Sequence, residues 1–303
     1  MSTGQNTFGY RLVHRWRWLD PFANLFGAVM TGLWKIPGTR SLKSMLHGTW
    51  PLAHPLHPAV TDLTIGGYTA MVAVDALYLV TGDRGLLRAA DFLLVGSFIT
   101  SLLSIISGLT DWNETVDEER RNGILHGLLM LLATLGFIAS LVMRVNGGID
   151  VRPAAIAISA VAWLVMIVAS YFGGEMVFGF GTEVNRQAWA DIGGGDWETI
   201  DVRAADLQER TPVLAATKSG VALLVTKLDG ELYAIGNTCT HAGGPLNEGT
   251  FVGDKGCEIQ CPWHASRFCV RDGSVHGGPA TFDEPAWSVR AAASGKLEVR
   301  PKR

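Results

Sequence analysis

Four long apolar runs crowd into residues 59–172, and every other part of the chain has to accommodate them. They lie at about 59–80, 92–110, 124–143 and 153–171, each close to the ~20 residues that a helix needs to cross hydrocarbon. A chain crossing lipid must satisfy its own backbone N–H and C=O groups, which favours helices when the runs are this long. The loops between the runs are short, so neighbouring helices run antiparallel and a four-helix membrane bundle is expected. The pattern then changes. Residues 197–303 carry 13 acidic and 12 basic side chains and read as short β runs such as 221–226, 232–235, 258–260, 267–270, 287–289 and 297–299. Asp229-Gly230 and Asp272-Gly273 supply hairpin turns. The expected fold is a helical membrane bundle followed by an all-β soluble domain. A net charge of −3 gives no basic surface for nucleic acid.

The boundaries expected from these shifts are an interfacial segment over 1–50, the membrane domain over 51–178, a linker over 179–196 and the β domain over 197–303. In the first segment, Leu19-Asp20-Pro21 is followed by Phe22, Leu25, Phe26, Val29, Met30, Leu33 and Trp34. That spacing predicts an amphipathic helix on the membrane face or docked on the bundle. The linker holds Gly193-Gly194-Gly195 and is expected to be flexible.

Chemistry concentrates in the β domain. Cys239-Thr240-His241 is answered by Cys261-Pro262-Trp263-His264. Two thiolates and two imidazoles at this spacing form a metal site: a structural zinc takes such a set, and so does a 2Fe–2S centre with two Cys on one iron and two His on the other. Cys257 and Cys269 remain. A disulfide between them is one reading, and buried free thiols beside the metal site are the preferred one.

Over nearly all of 197–300 the chain resembles the Rieske family. The resemblance rests on Cys239-Thr240-His241-Ala242-Gly243, on Cys261 through Phe268, and on Gly277-Gly278-Pro279-Ala280, which is similar to the family's third, proline-bearing loop. It implies a 2Fe–2S cluster with Cys239 and Cys261 on the buried iron and His241 and His264 on the outer one, their edges toward solvent or a partner. Ser266 stands where the family often bonds a hydroxyl to a bridging sulfide. In the high-potential, quinol-oxidising branch a tyrosine stands at the place of Phe268, and disulfide-bonded cysteines stand at those of Gly244 and Trp263. Their absence implies the ferredoxin-like branch and a potential below about +150 mV.

The region from about 45 to 178 resembles a family of uncharacterised four-helix membrane domains with a His-Pro-Leu-His-Pro box, here His54 to Pro58, whose members occur fused to Rieske domains. His57 or His54 together with His126 form a candidate axial pair for a b-type haem. With Asp62 the same histidines form a candidate quinone pocket. The competing structural reading has these imidazoles capping helix ends and bonding loop carbonyls. Crossing parity puts His54, His57, Asp62, Asp111, Trp112 and His126 near one membrane face, with the β domain on that face.

The functional expectation is a membrane-anchored carrier passing single electrons between a redox partner and quinone, haem or another protein. Its partners are membrane lipid and a redox protein or quinone; the oligomeric state stays open. The rivals are a redox component of an oxygenase system and a non-redox zinc module. A mononuclear oxygenase iron needs two His and a carboxylate, and the 39 residues after His264 contain a single histidine, His276. The β domain is expected on the cytoplasmic side. The supports are the lack of an export signal and the unpaired thiols; Arg40, Lys43, Arg120, Arg121 and Arg186 against Arg84, Arg88, Arg144 and Arg152, five basic residues to four, barely decide under the positive-inside rule.

Overall fold

The computed structural model describes residues 7–190, 195–253 and 256–302. It divides into two compact units. The first holds residues 7–36 and 56–182; the second holds 37–55 and 183–302.

Four helices dominate the first unit: α4 (Leu56–Thr81), α5 (Gly85–Trp112), α6 (Asp117–Asn146) and α7 (Arg152–Gly174), which continues as a π-helical segment, Glu175–Phe180. All four are long and apolar enough to cross a membrane. Large apolar side chains such as Val80, Phe92, Val145 and Val161 face outward, as lipid-facing residues do. Pairs α4–α5 and α6–α7 pack along their length, and α5–α6 and α4–α7 close the ring. Small residues allow the close approaches: a Cβ on Gly67 would stand 2.2 Å from Ser97 Oγ. Ser97, Ser101 and Ser104 are buried against α4 and serve as the packing stripe their spacing suggests.

Polar groups inside the bundle pair with each other, as low dielectric demands. Asp75 and Arg144 form a buried ion pair, and Arg144 also reaches Asp91 at 3.2 Å and Ser159 Oγ at 3.2 Å. Arg152 bonds Asp91 at 2.8 Å. Before the bundle come α1 (Phe8–Arg15) and α2 (Asp20–Trp34). The α2 helix buries Ala23, Gly27 and Met30 and exposes Phe22, Leu25, Val29 and Leu33, the amphipathic division its sequence predicts.

The second unit is built on two antiparallel sheets. Strands β1 (Glu198–Arg203), β2 (Val213–Ala216), β3 (Ala222–Leu228), β4 (Glu231–Gly236), β9 (Ala286–Ala291) and β10 (Lys296–Pro301) form one sheet in the order β1-β10-β9-β4-β3-β2. Strands β5 (Thr250–Phe251), β6 (Glu258–Gln260), β7 (Arg267–Cys269) and β8 (Val275–Gly277) form the other. Leu224, Leu228, Ile235, Ile259, Phe268 and Val270 fill one core cluster, which also contains Cys239 and Cys261.

Two expectations are corrected here. Cys257 and Cys269 form a disulfide rather than free thiols: pairing of Glu258 with Cys269 across β6 and β7 brings the two residues to a Cα separation of 4.8 Å, within bridging range. The thiol argument for a cytoplasmic location falls with it. Helix α3 (Thr39–His47), expected with the N-terminal segment, and residues 51–55, expected with the membrane domain, cluster with the β unit instead.

Candidate metal centre

The two ligand-bearing loops are shaped by backbone bonds that turn each cysteine inward. In the first, Cys239 N donates to Gly244 O at 2.9 Å and Gly243 N donates to Cys239 O at 2.8 Å. In the second, Cys261 N donates to Ser266 O at 2.8 Å and Ala265 N to Cys261 O at 3.2 Å. Gly243 at φ 84° and Ala265 at φ 61° take the left-handed turns these loops need. Gly278 is required for a different reason: at φ 87°, a Cβ there would lie 2.5 Å from Ser266 Cα and 2.7 Å from Ala265 O. The third loop can press onto the second because that atom is absent.

The four sequence-predicted ligands come together. Cys239 and Cys261 are buried and their sulfurs share a hydrogen bond. That bond pushes the Cys239 thiol far up and pulls Cys261 down to about 6. The His241 and His264 rings stand 5.0 Å apart, edge to face at 87°. Burial holds His241 well below the usual histidine range, so the ring is neutral, the form that ligates metal.

Ser266 is fully buried and accepts the Ala280 N–H at 3.1 Å. Its own hydrogen has no acceptor among the described residues. A Cβ on Gly244 would lie 2.8 Å from Cys261 Sγ and 3.1 Å from the Trp263 ring, so this loop can lie directly against the sulfur. A soft thiolate pair beside a neutral imidazole pair, with a hydroxyl hydrogen left to donate, fits a 2Fe–2S group with mixed Cys and His ligation.

The surroundings differ from the expectation that both imidazoles present their edges. The His241 side chain is 8% exposed, with Glu183 Oε1 3.9 Å from Nε2. The charges facing it include His47, Lys43 and Arg186. Residues 183–190, read as part of a flexible linker, in fact dock on the first loop: Arg186 N donates to Thr240 O at 3.1 Å and Gln187 Nε2 to Thr238 O at 2.8 Å. Gly193 and Gly194 lie outside the described residues. Beside His264, by contrast, Trp263 is 57% exposed.

Two supports of the loops have no sequence signal. Thr49 donates its hydroxyl to the Gly278 and Ala280 carbonyls, at 2.8 and 2.9 Å. Glu284 accepts the Thr240 N–H at 2.6 Å while only 3% exposed, and that burial pushes its carboxyl up to about 8.

The candidate membrane site comes together in part. His57 and His126 belong to the first unit and His54 to the second. His54 bonds its neighbour, Nδ1 to Pro55 O at 3.0 Å, and Asp62 is exposed on the outer surface of α4. It stands two positions from the buried Val60 and Thr64, on the opposite face of the helix, so it does not join the histidines.

Comparison with known proteins gives two family matches. Residues 53–186 match a family described as predicted membrane protein (DUF2231), and residues 198–288 match the Rieske [2Fe–2S] domain. The ferredoxin component of the naphthalene 1,2-dioxygenase system of Pseudomonas putida is 35% identical over 78 residues, covering 26% of this chain and 72% of that protein. The 3-phenylpropionate/cinnamic acid dioxygenase ferredoxin subunit of Shigella boydii is 34% identical over 90 residues, covering 30% and 81%. Among solved structures, the ferredoxin of carbazole 1,9a-dioxygenase from Nocardioides aromaticivorans is 28% identical, with 35% of this chain and 96% of that chain covered and a TM-score of 0.31.

Proposed function

Because this chain belongs to the Rieske [2Fe–2S] family, with a DUF2231 membrane-protein domain ahead of the Rieske domain, we propose that it is a membrane-anchored one-electron carrier. Cys239, Cys261, His241 and His264 hold its cluster. When bound, the cluster takes up and releases single electrons. The observation that carries the reading is the meeting of two buried, mutually bonded thiols with two imidazoles 5.0 Å apart.

The chain's own groups set the rest. Ala280 N–H fixes the Ser266 hydroxyl, which would donate its hydrogen to a sulfur of the bound cluster. Glu284 and Thr49 hold the first and third loops in place. His264 and the exposed indole of Trp263 form the contact side for a protein partner, since His241 is covered. The named relatives are ferredoxin components of dioxygenase systems, which supports a protein as partner and makes an oxygenase component the second reading. The four apolar helices anchor the carrier in lipid.

The count of basic residues, five against four, leans to the cytoplasmic face by a single residue. The Cys257–Cys269 bridge runs against it, because disulfides persist in oxidising compartments. Paired reporter fusions at the C-terminus, one active inside and one outside, separate the two.

The test is iron and sulfide analysis of the detergent-purified chain with single substitutions. Two irons and two sulfides per chain are expected, lost in Cys239→Ser and Cys261→Ser and lost or altered in His241→Ala and His264→Ala. Stoichiometric zinc in the wild-type chain refutes the carrier.

A further inference from the structure

The bundle is a duplicated hairpin. His57, Gly67, Tyr68 and Asp75 of α4 each have a counterpart 69 positions on: His126, Gly136, Phe137 and Arg144 of α6. Ser97, Ser104 and Gly108 of α5 have counterparts 65 positions on, Ala162, Ala169 and Gly173 of α7. The change of offset by four residues is about one turn, removed at the hairpin end. The contacts repeat with the residues. Gly67 packs on Ser97, and Gly136 packs on Ala162. The His57 ring lies across Gly108 and its Nδ1 bonds Ser104 O at 2.9 Å. His126 lies across Gly173 and its Nδ1 bonds Ala169 O at 2.8 Å.

Two such hairpins side by side define a pseudo-twofold axis along the bundle, the parallel form of internal repeat. Residues on that axis meet their own counterparts. Tyr68 stacks on Phe137 with ring centroids 3.7 Å apart and planes 5° apart. Below them Asp75 pairs with Arg144. His57 precedes Tyr68 by eleven positions and Asp75 by eighteen, and His126 precedes Phe137 and Arg144 by the same steps. Those steps return to one helix face, so the two imidazoles occupy a third level of the same axis, and they lie within electrostatic reach of each other.

Each Nδ1 is committed to a helix carbonyl, and among the described residues nothing bonds either Nε2. An imidazole whose Nδ1–H is fixed by a carbonyl offers Nε2 as a metal ligand of set orientation. Two of them, related by a twofold axis inside an apolar bundle, supply two axial positions and no equatorial ones. The cofactor class that brings its own four equatorial nitrogens is an iron porphyrin, and bundle interiors house such groups between facing helices. We propose that His57 and His126 are the axial ligands of one haem held between the two hairpins. The same chain would then carry two one-electron centres.

The inference does not rest on the Rieske reading, and the two fail separately: porphyrin absorption reports one, and the paramagnetism of the reduced cluster reports the other. The experiment is expression of the full chain with haem supplied, purification in detergent, and reduced-minus-oxidised optical spectra with haem extraction. About one haem per chain with a six-coordinate, low-spin spectrum is expected. His57→Ala and His126→Ala should each lose haem or turn it high-spin, with the iron–sulfur signal kept as a control for folding. Intact chain with a normal cluster signal and no stoichiometric porphyrin overturns the proposal. So does unchanged haem in the double variant, or a quinone bound in its place. The wild-type spectrum decides even if the variants fail to fold.

Discussion

Gly244 and Trp263 face each other across the two cluster loops: a Cβ on Gly244 would lie 3.1 Å from the indole ring. In the high-potential branch of the family these are the places of the two disulfide-bonded cysteines. Here the bridge is replaced by an aromatic ring over a glycine, and the place of the sulfur-bonding tyrosine is filled by the buried Phe268. A redox titration should therefore give a midpoint below about +150 mV, in the lower part of the family's range. Phe268→Tyr should raise it by placing a hydroxyl near the cysteine sulfurs. A wild-type value near the top of the range contradicts this part of the account.

Thr49 should matter to the cluster although 190 residues separate it from Cys239. Its single hydroxyl hydrogen is shared between two carbonyls of the third loop, and the net worth of such a three-centre bond is about 1 kcal/mol in all. Thr49→Val keeps the shape and removes both. The expected outcome is faster cluster loss in chelator and a lower thermal midpoint, with the optical spectrum of the intact cluster retained.

The ion pair on the bundle axis gives a sharper test of the duplication. Asp75→Ala leaves Arg144 with Asp91 alone, and Arg144→Ala leaves Asp75 with only Arg152 at 4.0 Å; each breaks the buried pair at a cost of up to about 3–5 kcal/mol. Because the two residues are symmetry counterparts, the exchange Asp75→Arg with Arg144→Asp should recover much of the loss. Detergent-solution melting and yield of the two single and one double variants measure it. A double variant as poor as the sum of the singles argues against equivalence.

Glu284 predicts a pH effect on the second unit. Its carboxyl titrates at about 8 in the fold and near 4.3 when unfolded. An acid raised on folding binds more protons in the folded state, so its share of stability is complete below about pH 4 and is lost as pH rises through 8. The holoprotein should therefore melt lower at pH 9 than at pH 6. Glu284→Gln keeps an acceptor for Thr240 N–H and should flatten that slope; Glu284→Ala should destabilise at both pH values.

The ligands and the helices were legible because both are local signals. Cys-x-His and Cys-x-x-His need a few adjacent residues, and each apolar run declares its own helix. What stayed hidden depends on pairing between distant segments. Nothing around Ser44 or Thr49 marks residues that bond Gly278, and nothing around Glu284 marks a carboxylate that holds Thr240. Cys257 and Cys269 needed the β6–β7 register before they could be joined. The repeat was masked by its own chemistry, since at the axis counterparts become partners: Asp75 requires Arg144, its opposite, and Tyr68 needs only a flat ring.

The central claim is that two histidines and two cysteines of this chain hold a one-electron cluster, and pulsed EPR on the reduced protein labelled with ¹⁵N-histidine tests it most directly. One half-spin signal per chain with couplings to two histidine nitrogens is expected, one coupling or the whole signal disappearing in His241→Ala and in His264→Ala. A protein silent after reduction, or a cluster signal with no histidine coupling, contradicts the account.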